Sequence, residues 1–322
     1  MRAVRVHAPG PAEALRCDEV DDPSPGPGEV VVRVEVAGVN FIDTYKRSGL
    51  YPVPLPWIVG EEGAGVVHAL GEGVTGFAVG DRVAFYPSSS YADFARVPAA
   101  RVIPIPDGVS ARAAAAVLLQ GMTAHYLAID TFPLRPGHTA LVHAAAGGTG
   151  ALLVQLAKAA GARVIATVST EEKAQVAREA GADECVLYTR DDFAAEARRL
   201  TDGRGVDVVY DGVGKATFDR SLDALALRGT MVTFGQSSGK IPPLDPLVLS
   251  NKGSLYLTRP SLHTYTHTRE ELLARAGDVF ARVARGELRA RVAAEIPLAD
   301  ARRAHELLES RGALGKVLLV TS

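Results

Sequence analysis

The stretch ALVHAAAGGTG, Ala140–Gly150, carries the plainest chemistry in the chain. An apolar run ends among small residues, and GALLVQLAKAAGA then repeats apolar positions at helical spacing. Ala145, Gly147 and Gly150 fall at the three glycine positions of a G-x-G-x-x-G turn, with alanine at the first. At the second position a missing side chain lets the backbone approach a pyrophosphate. At the third it lets the helix lie close to the strand, and the helix N-terminus then offers free N–H groups and a positive dipole end to the anion. The bare pattern is weak; its place between a strand and a helix, opening a βαβ series, is what gives it weight. The competing reading is an ordinary βα turn whose small residues serve packing.

The residues beyond the turn bear on which dinucleotide it would take. About 20 residues on, NAD-binding folds place an Asp or Glu against the ribose hydroxyls. Here Val168 and Ser169 occupy that place. Ser169, Thr170 and Lys173 supply hydroxyl donors and a cation suited to the 2′-phosphate of NADPH. Glu171 and Glu172 run against this, since they repel a phosphate or could reach back to a ribose. Thr170 and both glutamates are also ordinary residues for a helix start. The balance favours NADPH over NADH.

Spacing predicts the elements that must hold these residues. The first hundred residues read as β: EVVVRVEVAGVN, GAGVVHALG, GDRVAFY and YADFARVPAARVIPIP are punctuated by Gly and Pro, as in a barrel-like domain. Ser110 is placed to cap an alanine-rich helix. From there strands (TALVHA, RVIATVS, ECVLY, VDVVYDGV, TMVTFG) alternate with helices (GALLVQLAKAAGA, TEEKAQVAREAGA, DDFAAEARRLT, FDRSLDALALRG). That alternation predicts a parallel, doubly wound sheet. Amphipathic helices and a last strand, GKVLLV, close the chain. The fold class is therefore α/β, a β-rich domain plus a Rossmann-type domain.

Composition sets the remaining bounds. A length of 322 residues suits two domains, and a hydrophobic fraction of 47% supports large cores. No apolar run reaches a membrane span of about 18 residues, and MRAVRVHAPGP lacks the apolar core of a secretory signal. A net charge of −2 with interspersed signs argues against nucleic-acid or membrane-surface binding. Cys17 and Cys185 form no C-x-x-C pair, so a cytoplasmic, reduced protein is the simplest fit. His263 and His267 of HTYTH have a metal-like spacing, but the capping box Thr268–Glu271 places both before the next helix, so they share no helix face. His143 reads as a satisfied core histidine.

Across its whole length the chain resembles the medium-chain dehydrogenase/reductase superfamily. Zinc-dependent members carry a Cys where this chain has Asn40 in AGVNFID, a His within the segment that reads GEE (Gly60, Glu61, Glu62) here, and a four-cysteine loop. Zinc needs about three protein ligands for catalysis and four for structure. Neither cysteine completes a set, so no metal site is expected. NFIDTYKRSGLYP, GEEGAGVV, HAAAGGTG, YDGVG, FGQSSG, NKGSLYLTRPSL and HELLESR are similar to the zinc-free NADPH:quinone oxidoreductases, the zeta-crystallin-like group.

The resemblance implies a GroES-like catalytic domain over about residues 1–122 and 262–322, a nucleotide domain over 123–261, an active site in the cleft between them and a homodimer through the nucleotide domains. It places Asn40, Phe41, Ile42, Asp43, Thr44, Tyr45 and Tyr126 on the nicotinamide side, and Gly148 and Thr149 at the pyrophosphate. Ser169, Thr170, Lys173, Tyr188 and Arg311 fall around the adenosine ribose and its 2′-phosphate, and Phe234, Gly235, Gln236 and Ser237 along the nicotinamide ribose. Gly212 departs from the Ser usual in YDGVG.

A reduced quinone is an oxyanion like tyrosinate, whose conjugate acid has a pKa of about 10. It needs far less help than the alkoxide that zinc stabilises. Tyr45, Tyr51 and Arg259 are candidates for lining the quinone site and bonding that oxygen, with Asn40 orienting nicotinamide or acceptor. Loop packing for the tyrosines and a surface or domain-bridging role for Arg259 stand beside that reading. An NADPH-dependent alkenal or enone reductase, or a non-enzymatic NADPH-binding structural or RNA-binding protein, are the alternatives. The want of a basic stripe tells against RNA.

Overall fold

The valine-rich run from residue 29 forms one long strand, Glu29–Val39, in the computed structural model, which describes residues 1–321. It is central to a seven-stranded sheet. Glu62–Leu70 pairs with it antiparallel on one side and Lys316–Val320 on the other, while Phe94–Pro98 pairs with its first half. Arg82–Phe85, Val102–Pro104 and Val292–Pro297 extend the sheet. A three-stranded sheet is built from Leu15–Glu19, Arg2–Val6 and Trp57–Ile58. Val30, Val32, Val34, Val67, Val83, Phe85 and Val97 pack one core, and Val4, Val39, Tyr91, Ile296, Leu308 and Leu319 another. A short helix, α1 (Phe41–Arg47), follows the long strand directly. These elements belong to a compact unit of Met1–Gln120 with the chain from Thr268 onward.

The second compact unit is Gly121–His267, and the helix α2 (Ala111–Tyr126) contains the boundary residue. Ser110 Oγ accepts the Ala113 N–H at 3.1 Å and caps α2, as its position implied. Six parallel strands run in the order Glu184–Leu187, Arg163–Val168, Thr139–His143, Val206–Asp211, Leu225–Thr233, Tyr256–Thr258. Numbered along this unit, that is 3-2-1-4-5-6, the doubly wound order, whose switch point lies between Thr139–His143 and Val206–Asp211. The helices α3 (Gly148–Ala159), α4 (Glu171–Glu179), α5 (Phe193–Arg199) and α6 (Phe218–Ala224) connect successive strands.

One boundary differs from the expected one. FDRSLDALALRG reads as a single helix, but α6 ends at Ala224 and Leu225–Thr233 is strand. Leu225 pairs with Val206 and is buried, Arg228 takes a left-handed φ of 60°, and the register shifts between Val206 and Val208. A short apolar run such as ALAL carries no period that separates helix from strand, and the neighbouring strand decides it. The capping box of Thr268 and Glu271 opens the helix Arg269–Ala284, while His263 lies in a four-residue helix of its own, Leu262–Tyr265.

The glycine turn tests the local logic most directly. Ala144 is left-handed with φ 51°, and a Cβ on Gly150 would lie 2.4 Å from the Ala144 carbonyl oxygen and 2.9 Å from Ala145 Cα. A Cβ on Gly147 would meet only that oxygen, at 3.2 Å. Gly150→Ala should therefore cost about 2–4 kcal/mol, against under about 1 kcal/mol for Gly147→Ala. Equal unfolding midpoints for the two variants in urea would refute this account of the turn.

Candidate functional site

Strand register assembles a buried polar cluster in the first unit. Gly38 faces Glu62 on one side and Leu318 on the other, and Val39 faces Val317. Asn40 and Lys316 are the next residues outward, so three strand ends converge. Lys316 Nζ donates to Asn40 Oδ1 at 2.8 Å and to Glu62 Oε1. Asn40 Nδ2 donates to Glu62 Oε1 at 2.8 Å and to the Gly38 carbonyl at 3.3 Å. Gln120 Nε2 donates to Asn40 Oδ1 at 3.2 Å, and the Leu119 N–H reaches Glu62 Oε2 at 2.6 Å. The Lys316 and Glu62 side chains are both 0% exposed. Gly38 has no side chain for a reason: its Cβ would lie 2.7 Å from the Glu62 carboxyl carbon.

The Asn40 amide spends both acceptor and both donor positions inside the protein. These four bonds fix the orientation of the amide at the start of α1.

Asn40 also opens α1, where its N–H donates to Asp43 Oδ2 at 2.8 Å. Asp43 is wholly buried, and burial first, then the charge of Glu61, pushes its carboxyl well above the usual range. Tyr91 Oη donates to the same oxygen at 3.2 Å and lies 3.2 Å from His305 Nε2. Arg47, which can only donate, holds His305 Nδ1 at 3.0 Å, so the ring proton must sit on Nε2 and point at Tyr91. Burial and then the Arg47 charge lower the His305 pKa to about 3. Arg47 continues to Glu309 at 2.6 Å.

The helix thus sorts its residues. Asp43 and Thr44 were expected along the nicotinamide, but both are turned inward, Thr44 Oγ1 bonding the Phe41 carbonyl at 2.8 Å. Phe41, Ile42, Tyr45 and Lys46 are half-buried. Tyr45 meets Tyr51 edge-on with ring centroids 5.5 Å apart. Lys46 Nζ pairs with Glu61 and stands 5.7 Å from the Trp57 ring. Arg311, in this unit, sits beyond the helix Ala301–Glu309 with a left-handed φ of 60°.

In the second unit the candidates gather at the carboxyl ends of the strands. Gly147 caps α3, which begins at Gly148 and Thr149. At the end of the next strand, Lys173 Nζ donates to Ser169 Oγ at 3.1 Å, and Thr170 Oγ1 accepts the Lys173 N–H at 3.3 Å. Glu171, one of the two expected sources of repulsion, pairs with Arg178 at 2.6 Å. Tyr188 stands exposed nearby in sequence to the following strand end. Asp211 accepts from Val213 N–H at 2.6 Å, Gly214 N–H at 3.0 Å and Thr217 Oγ1 at 2.8 Å, fixing the turn that holds Gly212. A Cβ on Gly212 would lie 3.0 Å from the Phe234 ring, so a serine there would crowd it.

Ser237 N–H returns to the Gly212 carbonyl at 3.3 Å. Arg259 Nη1 donates at 3.3 Å to the Thr233 and Gly235 carbonyls and to Thr233 Oγ1, which ties it to the loop Phe234–Ser237. The Tyr126 ring is buried and stacks on Tyr265 at 4.4 Å. His143 is a satisfied core histidine: Thr167 Oγ1 lies 2.7 Å from Nδ1 and Ser221 Oγ 2.9 Å from Nε2, and burial lowers its pKa.

Sequence reasoning missed Lys316, Gln120, Tyr91, His305 and the Lys46–Glu61 pair. The available signals were a lysine heading the apolar strand GKVLLV and two adjacent glutamates in GEE, which had been weighed only as a missing histidine. Among the described residues, no three or more His, Cys, Asp or Glu side chains are grouped to hold a metal ion.

Residues 26–107 match the family model for an alcohol dehydrogenase GroES-like domain, and residues 148–275 the model for a zinc-binding dehydrogenase. Those two matches define a medium-chain dehydrogenase/reductase. The quinone oxidoreductase of Pseudomonas aeruginosa is 45% identical, over 99% of each chain. The crystal structure of Escherichia coli quinone oxidoreductase complexed with NADPH superposes with a TM-score of 0.97 at 43% identity over 100% of each chain. A 2-haloacrylate reductase from Burkholderia is 41% identical, over 99% of this chain and 98% of that one. The chain belongs to the zinc-free quinone oxidoreductase family.

Two outcomes test the buried networks. Lys316→Met strands the Glu62 charge and should cost about 3–5 kcal/mol, most of it recovered in Lys316→Met/Glu62→Gln. A single-variant loss under about 1 kcal/mol in urea unfolding would contradict the pairing. His305 has a folded pKa of about 3, below its ordinary 6.5, so its contribution is complete above pH 6.5 and declines as pH falls between those values. The loss runs at about 1.4 kcal/mol per pH unit. His305→Gln should flatten the acid limb of the stability curve by that slope; an unchanged limb would show the histidine is not held neutral.

Proposed function

We propose that this protein reduces quinones with NADPH, both electrons passing as a hydride. The observation that carries the reading is the second unit's paired anion sites. One is a glycine turn whose third position rejects a side chain, and the other is a hydroxyl–ammonium couple, Ser169 with Lys173, at the adjoining strand end. The first suits a pyrophosphate at a helix N-terminus and the second a 2′-phosphate. The Arg178 cation offsets Glu171, one of the two acids that stood against a phosphate there. The likeness to quinone oxidoreductases, one of them solved with NADPH, supports the same assignment.

NADPH bound there would supply the hydride. The chain's part is to hold it and to stabilise the product oxygen. Gly147, Gly148, Thr149 and Gly150 would cradle the pyrophosphate by backbone donors. Ser169, Thr170 and Lys173 would grip the 2′-phosphate, with Tyr188 beside the ribose and Arg311 as a further cation. Gly212 and Phe234–Ser237, steadied by Arg259, would line the nicotinamide ribose. Phe41, Ile42, Tyr45 and Tyr126 would flank the nicotinamide, and the Tyr45–Tyr51 edge contact would line the acceptor with phenolic donors. Because the product is a phenolate-like anion, hydrogen bonds are an adequate stabiliser.

A second reading, reduction of an activated alkene, is favoured by the 2-haloacrylate reductase relative. It needs a proton delivered to carbon, for which a tyrosine such as Tyr45 or Tyr51 is suited. NADPH binding without turnover on either acceptor class would favour the non-enzymatic reading.

The protein is also proposed to be a homodimer. The edge strand Tyr256–Thr258 has an unpaired side, and it carries exposed Tyr256 (63%) and Leu257, with Leu227 (75%) on the neighbouring strand. An unpaired edge flanked by apolar side chains favours pairing with a second copy. Two free cysteines and the lack, among the described residues, of a helix long and apolar enough to cross a membrane support a cytoplasmic place.

The deciding experiment is a panel of quinones and enones with NADPH and NADH. Quinones should be the better acceptors and NADPH the better donor. Lys173→Met should lower kcat/KM for NADPH about tenfold, the loss of one charged contact, and leave NADH unchanged. An equal loss with both cofactors would remove Lys173 from the phosphate site.

A further inference from the structure

The adjacent acids Glu61 and Glu62 are each given a lysine, and the two pairs differ in openness. Glu62 and Lys316 are sealed, with Lys316 shared between Glu62 and Asn40. Glu61 is also nearly sealed, at 6% side-chain exposure, but its partner Lys46 is 23% exposed. An ammonium carries three donors, and Glu61 takes one of them through Oε1. The cation stands over the Trp57 ring, 5.7 Å from its centre.

An exposed salt bridge would be an ordinary surface feature. This one is unlike that, because its carboxylate has been taken out of water and holds one cation in a fixed place. Lys46 also follows Tyr45 on α1, the helix that turns Asp43, Thr44 and Arg47 inward and leaves Phe41, Ile42, Tyr45 and Lys46 half-open. The open side of α1 therefore presents a phenol and an anchored ammonium together.

We infer that Lys46 is a catalytic residue, donating from Nζ to the acceptor's carbonyl oxygen, with Glu61 as the positioning residue that holds it. The inference rests on the quinone-reduction reading and deepens it. As the hydride leaves the cofactor, its electron pair forms the new bond to the acceptor and the conjugated π pair it displaces collects on that oxygen; the Nζ–H hydrogen bond strengthens with this charge until water supplies the proton. No bond to the protein forms or breaks. Glu61 keeps the ammonium aimed, and the Trp57 ring face adds a weaker hold on it.

The test uses the full-length protein with NADPH and 1,4-benzoquinone, comparing wild type, Lys46→Met, Lys46→Arg and Glu61→Gln. Cofactor affinity is followed by fluorescence titration. Ionisation of bound 4-nitrophenol, a mimic of the product phenolate, is read from its absorption spectrum in the presence of NADP+. Lys46→Met should lower kcat about 100-fold, the usual loss for one oxyanion donor, with the NADPH Kd within twofold of wild type. Lys46→Arg should recover most of the rate, and Glu61→Gln should fall between. Bound 4-nitrophenol should be more ionised in wild type and Lys46→Arg than in Lys46→Met.

A Lys46→Met variant with wild-type kcat and an unchanged nitrophenol spectrum would overturn the inference while leaving quinone reduction standing. Loss of NADPH affinity in both lysine variants, with the nitrophenol spectrum unmoved, would overturn it in favour of a purely structural pair. A wild type that binds NADPH yet reduces no quinone would overturn the underlying reading, and this inference with it.

Discussion

A buried ammonium must find acceptors for its protons or lose its charge. Lys316 meets that demand with Glu62 and Asn40, and much of the first unit is arranged so that it can. The central strand must run between the strands of Glu62 and Lys316, because only that order brings the three residues to one end. Gly38 must be bare so that the Glu62 carboxyl can lie across it. The second Glu62 oxygen must face α2, where the Leu119 N–H completes it. The amide of Asn40, saturated by these neighbours, then fixes where α1 begins and which of its residues remain open.

The two units arrange their polar groups by different physical means. The second relies on backbone: a helix end, a turn with no room for a side chain, and a threonine cap that leaves Lys173 resting on Ser169. Such donors cost little reorganisation, since the fold already aims them. The first relies on side chains whose charges are neutralised in place, as in the ordered run His305, Tyr91, Asp43. Burial keeps His305 uncharged and lifts Asp43, so this run holds its geometry without an exposed ion.

Residues with a rigid backbone requirement were the legible ones. Gly150, the Ser110 cap and the Thr268–Glu271 capping box act within a few residues of sequence, and each stands where spacing placed it. The parallel sheet was legible for the same reason, since alternating helix and strand periods are local. The Leu225–Gly229 stretch was not, because its apolar run fits either period and a strand distant in sequence settles it. The Lys316 cluster was harder still: its members are separated by up to 276 positions, and only strand register joins them. Asn40 was singled out correctly as unusual, but its role depended on partners that no local pattern reveals.

Glu61 stands just before the strand that Glu62 opens. The two acids are neighbours in sequence but wards of separate lysines. The sealed couple joins the ends of three strands, while the half-open couple leaves its lysine in reach of solvent. A change at position 61 therefore acts on a lysine that solvent can reach, whereas a change one residue on acts on the meeting point of the strands.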